Sequence, residues 1–117
     1  EYIFDPIYFE FDSADVWKKY IYRIDEVIDA LKLYPKMEVK VKAFADRRGE
    51  KEYNLKLSKR RSNSIVNYIK ARIQNSNRVT GDGYGESLVK IKDMMIEVSE
   101  QEHQLERRVE FEINNFQ

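Results

Sequence analysis

The fold is decided by the stretch MEVKVKAFADRRGEKEYNLKLSKRRSNSIVNYIKARI, residues 37–73. Its first seven residues, 37–43, alternate between two kinds of side chain. The apolar ones are Met37, Val39, Val41 and Ala43, and the charged ones are Glu38, Lys40 and Lys42. This period of two predicts a half-buried strand over 37–44. After a turn near Gly49, apolar residues recur in steps of four, which predicts an amphipathic helix over about 50–73.

The same patterns extend outward from this stretch. A strand is predicted over 7–11, followed by a helix that Asp12 or Ser13 caps and that ends near residue 33, before Pro35. Further strands are predicted over 78–82 and 109–113. Ser99 and Glu102 match a capping box, which predicts a short helix through residue 106. Residues 88–98 are compatible with either a strand or a helix.

Strands interleaved with amphipathic helices indicate an α/β (α+β) fold. We predict a βαβαβ(α)β sandwich in which one mixed sheet carries two main helices on one face. The predicted shared core comprises Ile24, Val39, Val41, Ile65, Ile69, Val109 and Phe111.

Composition excludes several classes of protein. The 117 residues suit one domain spanning 1–117, with its core at about 7–114. The 21 basic and 21 acidic residues cancel, so no general attraction to nucleic acid is expected. No apolar run approaches the roughly 20 residues of a membrane span. A signal peptide is not visible, and we interpret the chain as a fragment of a longer exported protein.

Groups for catalysis or metal binding are few. His103 is the only histidine, and it is predicted to lie on an exposed helix face among glutamates. There is no cysteine, so thiol nucleophiles and thiolate metal sites are excluded. We expect neither an enzyme nor a bound metal or cofactor.

Arg61 is the one residue that departs from the pattern of its helix. It occupies a step of the apolar stripe formed by Leu57, Ile65, Ile69 and Ile73. A buried guanidinium requires a partner, and Asp46 at the end of the preceding strand could supply it. Such a pair could be a structural salt bridge. Alternatively, it could form a site for a zwitterion, with Arg61 holding a carboxylate and Asp46 an ammonium.

Four segments of the chain resemble a known family. Asp46-x-x-Gly49-x-x-x-Tyr53-Asn54-x-x-Leu57-Ser58-x-x-Arg61 is similar to the signature of OmpA/MotB-type domains. The other three segments, in the same order as in that family, are Phe9-x-Phe11-Asp12-Ser13-Ala14, Gly83-Tyr84-Gly85-Glu86-Ser87 and Arg107-Arg108-Val109-Glu110-Phe111.

The resemblance implies an OmpA-like domain that binds the peptide stem of peptidoglycan without cleaving it. It implies that Asp46 and Arg61 hold the free amino-acid end of diaminopimelate. Five further positions match the pocket of the family or its surroundings: Asn54, Arg108, Asp12, Ser13 and Leu57. Such a domain would anchor an outer-membrane or periplasmic protein to the cell wall, on the periplasmic side.

The sequence departs from the family pattern near the site. Ala43, Phe44 and Ala45 replace the usual Gly-His-Thr, so a hydroxyl is missing and Phe44 could reshape the pocket. Glu106 stands where an Asn is usual, and Met94–Ile96 adds an apolar run. The Phe44 and Ala45 replacements and the apolar run motivate an alternative function that ranks second, an OmpA-like fold used as a protein–protein interaction module with a degenerate pocket. RNA binding is disfavoured because an aromatic stacking motif and net positive charge are lacking.

Overall fold

The computed structural model describes residues 4–86 and 99–115. Its strands are β1 (Ile7–Tyr8), β2 (Glu38–Ala43), β3 (Val79–Gly83) and β4 (Arg108–Asn114). Its helices are α1 (Ile21–Leu33), α2 (Lys51–Lys70) and α3 (Glu100–Glu106). The strands form one mixed sheet in the order β1-β4-β2-β3. Only β2 and β3 are parallel, whereas β4 runs antiparallel to both β1 and β2.

The core lies between the sheet and helices α1 and α2, as the hydrophobic pattern predicts. Val39 and Val41 of β2 are buried in one cluster with Ile24 of α1 and Ile65 of α2, while Phe111 is half-buried against it. The alternate residues of β2, including Lys40 and Lys42, are less buried. The mixed sheet with two main helices on one face is therefore confirmed.

Small residues bring β3 unusually close to α2. A Cβ atom added to Gly83 would lie 2.3 Å from the backbone nitrogen of Lys59, and one added to Gly81 would lie 2.2 Å from Ser62 Oγ. Ser58 Oγ also accepts a hydrogen bond from the backbone N–H of Gly85. The glycines of the third strand and the serines of the second helix thus fit together. This close approach holds α2 in place over the sheet.

The first predicted helix begins later than its sequence pattern suggested. A single 3₁₀ turn at Lys18–Tyr20 precedes α1, and the segment before it is irregular. Asp12 has φ 57°, a left-handed conformation, and Ser13 Oγ accepts from Asp15 N within a local turn instead of capping α1. The carbonyls of Glu10 and Ser13 accept hydrogen bonds from a distant arginine. This tertiary contact accounts for a loop where local propensity favours a helix.

Two other predictions need correction. The first strand is shorter than predicted: Phe9 is buried beyond its end, but Phe11 is exposed. His103 is buried in α3 rather than exposed, with Nδ1 3.6 Å from Glu106 Oε1. By contrast, the capping box is confirmed, because Ser99 Oγ accepts from Glu102 N at the start of α3. Residues 88–98 lie outside the described part of the chain.

Candidate functional site

Asp46 lies in the loop between β2 and α2, where the chain turns away from the sheet. Its side chain is only 4% exposed. Oδ1 accepts from Arg48 N at 3.0 Å and from Arg48 Nε at 3.4 Å. Oδ2 accepts from Arg48 Nη2 at 2.9 Å and from Arg107 Nη1 at 3.0 Å. Burial favours a higher pKa, but the hydrogen bonds from Arg48 and Arg107 outweigh it and hold the pKa of Asp46 below its ordinary value.

The loop that carries Asp46 is held by the first turns of α2. Gly49 has φ +88°, which a residue with a Cβ adopts only under strain. Asn54 donates to the carbonyls of Asp46 and Arg48 at 3.2 and 2.8 Å, and to Glu86 Oε2 at 3.0 Å. These hydrogen bonds connect the buried Asn54 side chain to the loop, and in this way Asn54 positions Asp46.

Arg61 projects from α2 into the interior and is 0% exposed. Its guanidinium donates to three backbone carbonyls, those of Ser13 at 2.7 Å, Glu10 at 3.0 Å and Phe44 at 3.2 Å. Burial lowers the pKa of Arg61 to about 10, and the nearby positive charge of Arg107 acts in the same direction.

The predicted salt bridge between Arg61 and Asp46 does not form. Among the described residues, no carboxylate lies within 4.0 Å of the Arg61 guanidinium. Asp46 instead pairs with Arg48 and Arg107. Both side chains nevertheless line the same cavity, so the site holds a buried carboxylate and a buried guanidinium that are not paired with each other.

The cavity between them has a volume of about 80 Å³. This is smaller than the roughly 150 Å³ that accommodates benzene in an engineered protein cavity, so it suits one end of an amino acid rather than a sugar ring. Its walls come from the loop after β1, the loop after β2 and the first half of α2. They consist of Phe11, Asp12, Ala45, Asp46, Arg48, Gly49, Tyr53, Asn54, Leu57 and Arg61.

The other predicted site residues are distributed around this cavity. Leu57 is buried and lines it, and Asp12 lines it while accepting a hydrogen bond from Tyr53 Oη. Ser13 contributes only a carbonyl to Arg61 and is not part of the cavity wall.

Arg107, not Arg108, is the arginine of the last motif that reaches the site. Arg107 donates to Asp46 and, through Nε, to the Phe9 carbonyl at 2.7 Å. Arg108 lies outside the cavity wall and pairs with Glu110 at 3.1 Å. Arg107 ends α3 with a backbone that is not extended, so the alternation of β4 does not include it. It is buried, as Val109 is, whereas Arg108 between them is half-buried.

The departures from the family pattern have unequal consequences. Ala45 lines the cavity with a methyl group where a hydroxyl is usual. Phe44 does not line it; its ring is stacked on Tyr84 at 5.6 Å, and only its carbonyl reaches Arg61. Glu106 pairs with Arg47, also outside the wall. The expectation that Phe44 reshapes the pocket is therefore not supported.

Aromatic and charged residues at the rim were not predicted from the sequence. The Arg48 guanidinium lies 4.1 Å from the centre of the Phe11 ring. Glu100, at the start of α3, accepts from Arg48 at 3.3 Å and pairs with Arg107 at 3.0 Å. In residues 4–86 and 99–115, no cluster of potential ligands could hold a metal ion, and no helix is long and apolar enough to span a bilayer.

Comparison with known proteins places this fold in a defined class. Residues 8–102 match the model of the OmpA family. The peptidoglycan-associated lipoprotein of Pasteurella multocida is 30% identical over 83 residues, which cover 71% of this chain and 55% of the relative. That of Haemophilus influenzae is 29% identical, with 71% and 54% covered. The chain thus spans about half the length of these curated relatives.

Solved structures share the fold. The peptidoglycan-associated lipoprotein from Burkholderia pseudomallei superimposes with a TM-score of 0.81 at 22% identity, covering 93% of this chain and 89% of that one. The C-terminal domain of Helicobacter pylori MotB gives 0.78 at 19% identity, covering 94% and 84%. Together with the family match over residues 8–102, these structures define a non-catalytic domain of the OmpA-like class. The chain belongs to the OmpA family.

Proposed function

We propose that this domain binds peptidoglycan non-covalently through the diaminopimelate of the peptide stem. It thereby anchors an envelope protein to the cell wall, on the periplasmic side and in association with the outer membrane. The names of two relatives describe association with peptidoglycan. A third protein, whose solved structure is described as the cell wall anchor of the T6SS from Pseudomonas aeruginosa, has the same fold. Its TM-score is 0.69 at 24% identity, covering 91% of this chain and 76% of that one. These names support the proposal for this chain.

One observation carries the proposal: Arg61 is a buried cation at a cavity wall, and its hydrogen-bond partners among the described residues are all backbone carbonyls. Three of its five N–H groups are used, so two remain for a ligand. An uncompensated buried charge is costly, and an incoming carboxylate would neutralise it with charge-assisted hydrogen bonds. A carboxylate-bearing ligand therefore fits this wall of the cavity.

Asp46 provides the complementary group. A ligand whose carboxylate binds Arg61 can direct its ammonium toward Asp46 across the same cavity. Both charges sit on one carbon at the free end of diaminopimelate, and the small cavity volume suits such a head group. Asn54 acts through the loop that positions Asp46, while Leu57 and Asp12 shape the wall.

The decisive test uses the wild-type domain, so that no variant needs to fold. Calorimetric titration with a muropeptide containing diaminopimelate is compared with titration of one containing lysine. Lysine lacks the second carboxylate, which leaves Arg61 unpaired, and we expect at least a tenfold weaker binding, equivalent to about 1.4 kcal/mol. Equal binding of both, or binding of neither, would refute the proposal and turn attention to a protein partner.

Variants then locate the site. Asp46→Asn and Arg61→Lys are co-sedimented with insoluble peptidoglycan and melted in parallel. We expect both to lose sedimentation at temperatures where they remain folded. The neutral Asn amide cannot attract the ligand's ammonium as Asp46 does, and the ammonium of Lys cannot make the forked contact of Arg61. Asp29→Asn and Arg60→Lys change exposed residues outside the cavity wall and serve as matched controls. Retention of both site variants in the pellet at wild-type levels would place binding elsewhere.

A further inference from the structure

The side chain of Arg48 occupies the position that a ligand's ammonium would need. It donates to both oxygens of Asp46 and reaches Glu100 on α3 through Nη1. A positive charge thus already lies between two carboxylates at the mouth of the cavity. This inference rests on the proposed binding of a zwitterion at Asp46 and Arg61.

The acceptor capacity of Asp46 is fully used. A carboxylate offers about four positions for hydrogen-bond donors. In the free domain these are filled by Arg48 N, Arg48 Nε, Arg48 Nη2 and Arg107 Nη1. An ammonium can therefore bind Asp46 only if one of these donors leaves.

Of these donors, the Arg48 guanidinium is the one that can move. The backbone N–H of Arg48 is fixed by the loop that Asn54 holds. The Arg107 side chain is 5% exposed and is tied to the Phe9 carbonyl. The Arg48 side chain is 34% exposed, and its other contacts are with the exposed residues Phe11 and Glu100. It can turn toward solvent without leaving a buried group unpaired.

We propose that Arg48 is an internal competitor that occupies the ammonium site of the free domain and must swing out when a ligand binds. Displacing it lowers the affinity for any ligand that uses its ammonium alone. A ligand whose carboxylate is held by Arg61 at the same time has a second anchor and can displace it. Arg48 therefore lowers the affinity of every ligand that places an ammonium at Asp46, and the second anchor at Arg61 offsets this loss for ligands that carry both charges.

The test compares Arg48→Ala and Arg48→Gln with wild type by titration with the diaminopimelate muropeptide. Arg47→Ala is the matched control, because the adjacent Arg47 pairs with Glu106 and does not line the cavity. A second probe is the same muropeptide acetylated on the free amine of diaminopimelate. We expect the Arg48 variants to bind the unmodified muropeptide roughly fivefold more tightly than wild type. We expect no gain with the acetylated probe, and wild-type affinity from Arg47→Ala.

The outcomes separate this inference from the proposed function. If wild type binds but both Arg48 variants bind equally or more weakly, Arg48 does not compete and the binding function stands. An equal gain with the acetylated probe also overturns the inference, since no ammonium is then involved. If neither wild type nor the Arg48 variants bind the muropeptide, the proposed function fails and the role of Arg48 fails with it.

Discussion

Replacing Asp46 with Asn tests the electrostatics of the site most directly. The substitution keeps the shape of the side chain and removes its charge. Three guanidinium groups, those of Arg48, Arg61 and Arg107, then lose the nearby negative charge of Asp46, while the exposed Glu100 still pairs with Arg48 and Arg107. In the Asp46→Asn variant an amide nitrogen replaces one carboxylate oxygen, and its N–H groups point toward the N–H groups of the arginines that bound that oxygen.

The expected loss of stability follows from burial. Removing one partner of a buried ion pair costs several kcal/mol because the other charge remains unpaired, and Arg107 is almost fully buried. We expect Asp46→Asn to lower the free energy of unfolding by about 3 kcal/mol. For a urea m-value of about 2 kcal/mol/M, the midpoint falls by roughly 1.5 M.

Glu100→Gln is the matched control for this measurement. Glu100 contacts the same two arginines, Arg48 and Arg107, but its side chain is 63% exposed. Exposed ion pairs contribute little to stability, so its urea midpoint should stay close to that of wild type. Equal midpoints for Asp46→Asn and Glu100→Gln, at unchanged m-value, would refute the view that burial makes Asp46 the essential partner of Arg107.

Three further predictions concern acid stability and packing. Burial favours a higher pKa for Asp46, but hydrogen bonds from arginines bring the pKa below the ordinary 3.8. The stabilising contribution of the Asp46 carboxylate should therefore be complete above pH 3.8 and disappear as the pH falls through the lower pKa of the folded state. Urea titrations that show no difference in acid sensitivity between wild type and Asp46→Asn would contradict this. Val41→Asp places a charge in a fully buried layer, and circular dichroism should show no cooperative melting; an intact transition would count against the architecture. Gly83→Ala should cost about 2–3 kcal/mol, because the new methyl group would meet the backbone of Lys59 and Ser58; an unchanged melting temperature would disprove the close packing.

Local periodicity predicted most of the fold. The hydrophobic side chains alternate in β2 and β4 and recur in steps of four in α2, because one side of each element faces the core. Residues close together in the sequence are enough to identify that side. The capping box at Ser99 is equally local, and it was confirmed. The start of α1 was predicted wrongly because the segment before it is held by a distant side chain.

The site was predictable in its composition but not in its pairing. The skipped step in the apolar stripe of α2 identified Arg61, and the position of Asp46 after the preceding strand pointed to Asp46, as did the resemblance to the OmpA family. The ion pair of Asp46 with Arg107 required the fold, because only the tertiary structure brings the end of α3 to the loop after β2. The family motif pointed to Arg108, whereas the turn at the end of α3 directs Arg107 to Asp46.

The sequence by itself determined the order of the elements, their buried faces and the presence of one charged residue in an apolar stripe, since these depend on side chains close together in the chain. Only the tertiary structure decided what surrounds that charge. The partners of Arg61 are carbonyls of Glu10, Ser13 and Phe44. Every residue has such a carbonyl, so no choice of amino acid marks these three, and only the path of the backbone brings them to one guanidinium.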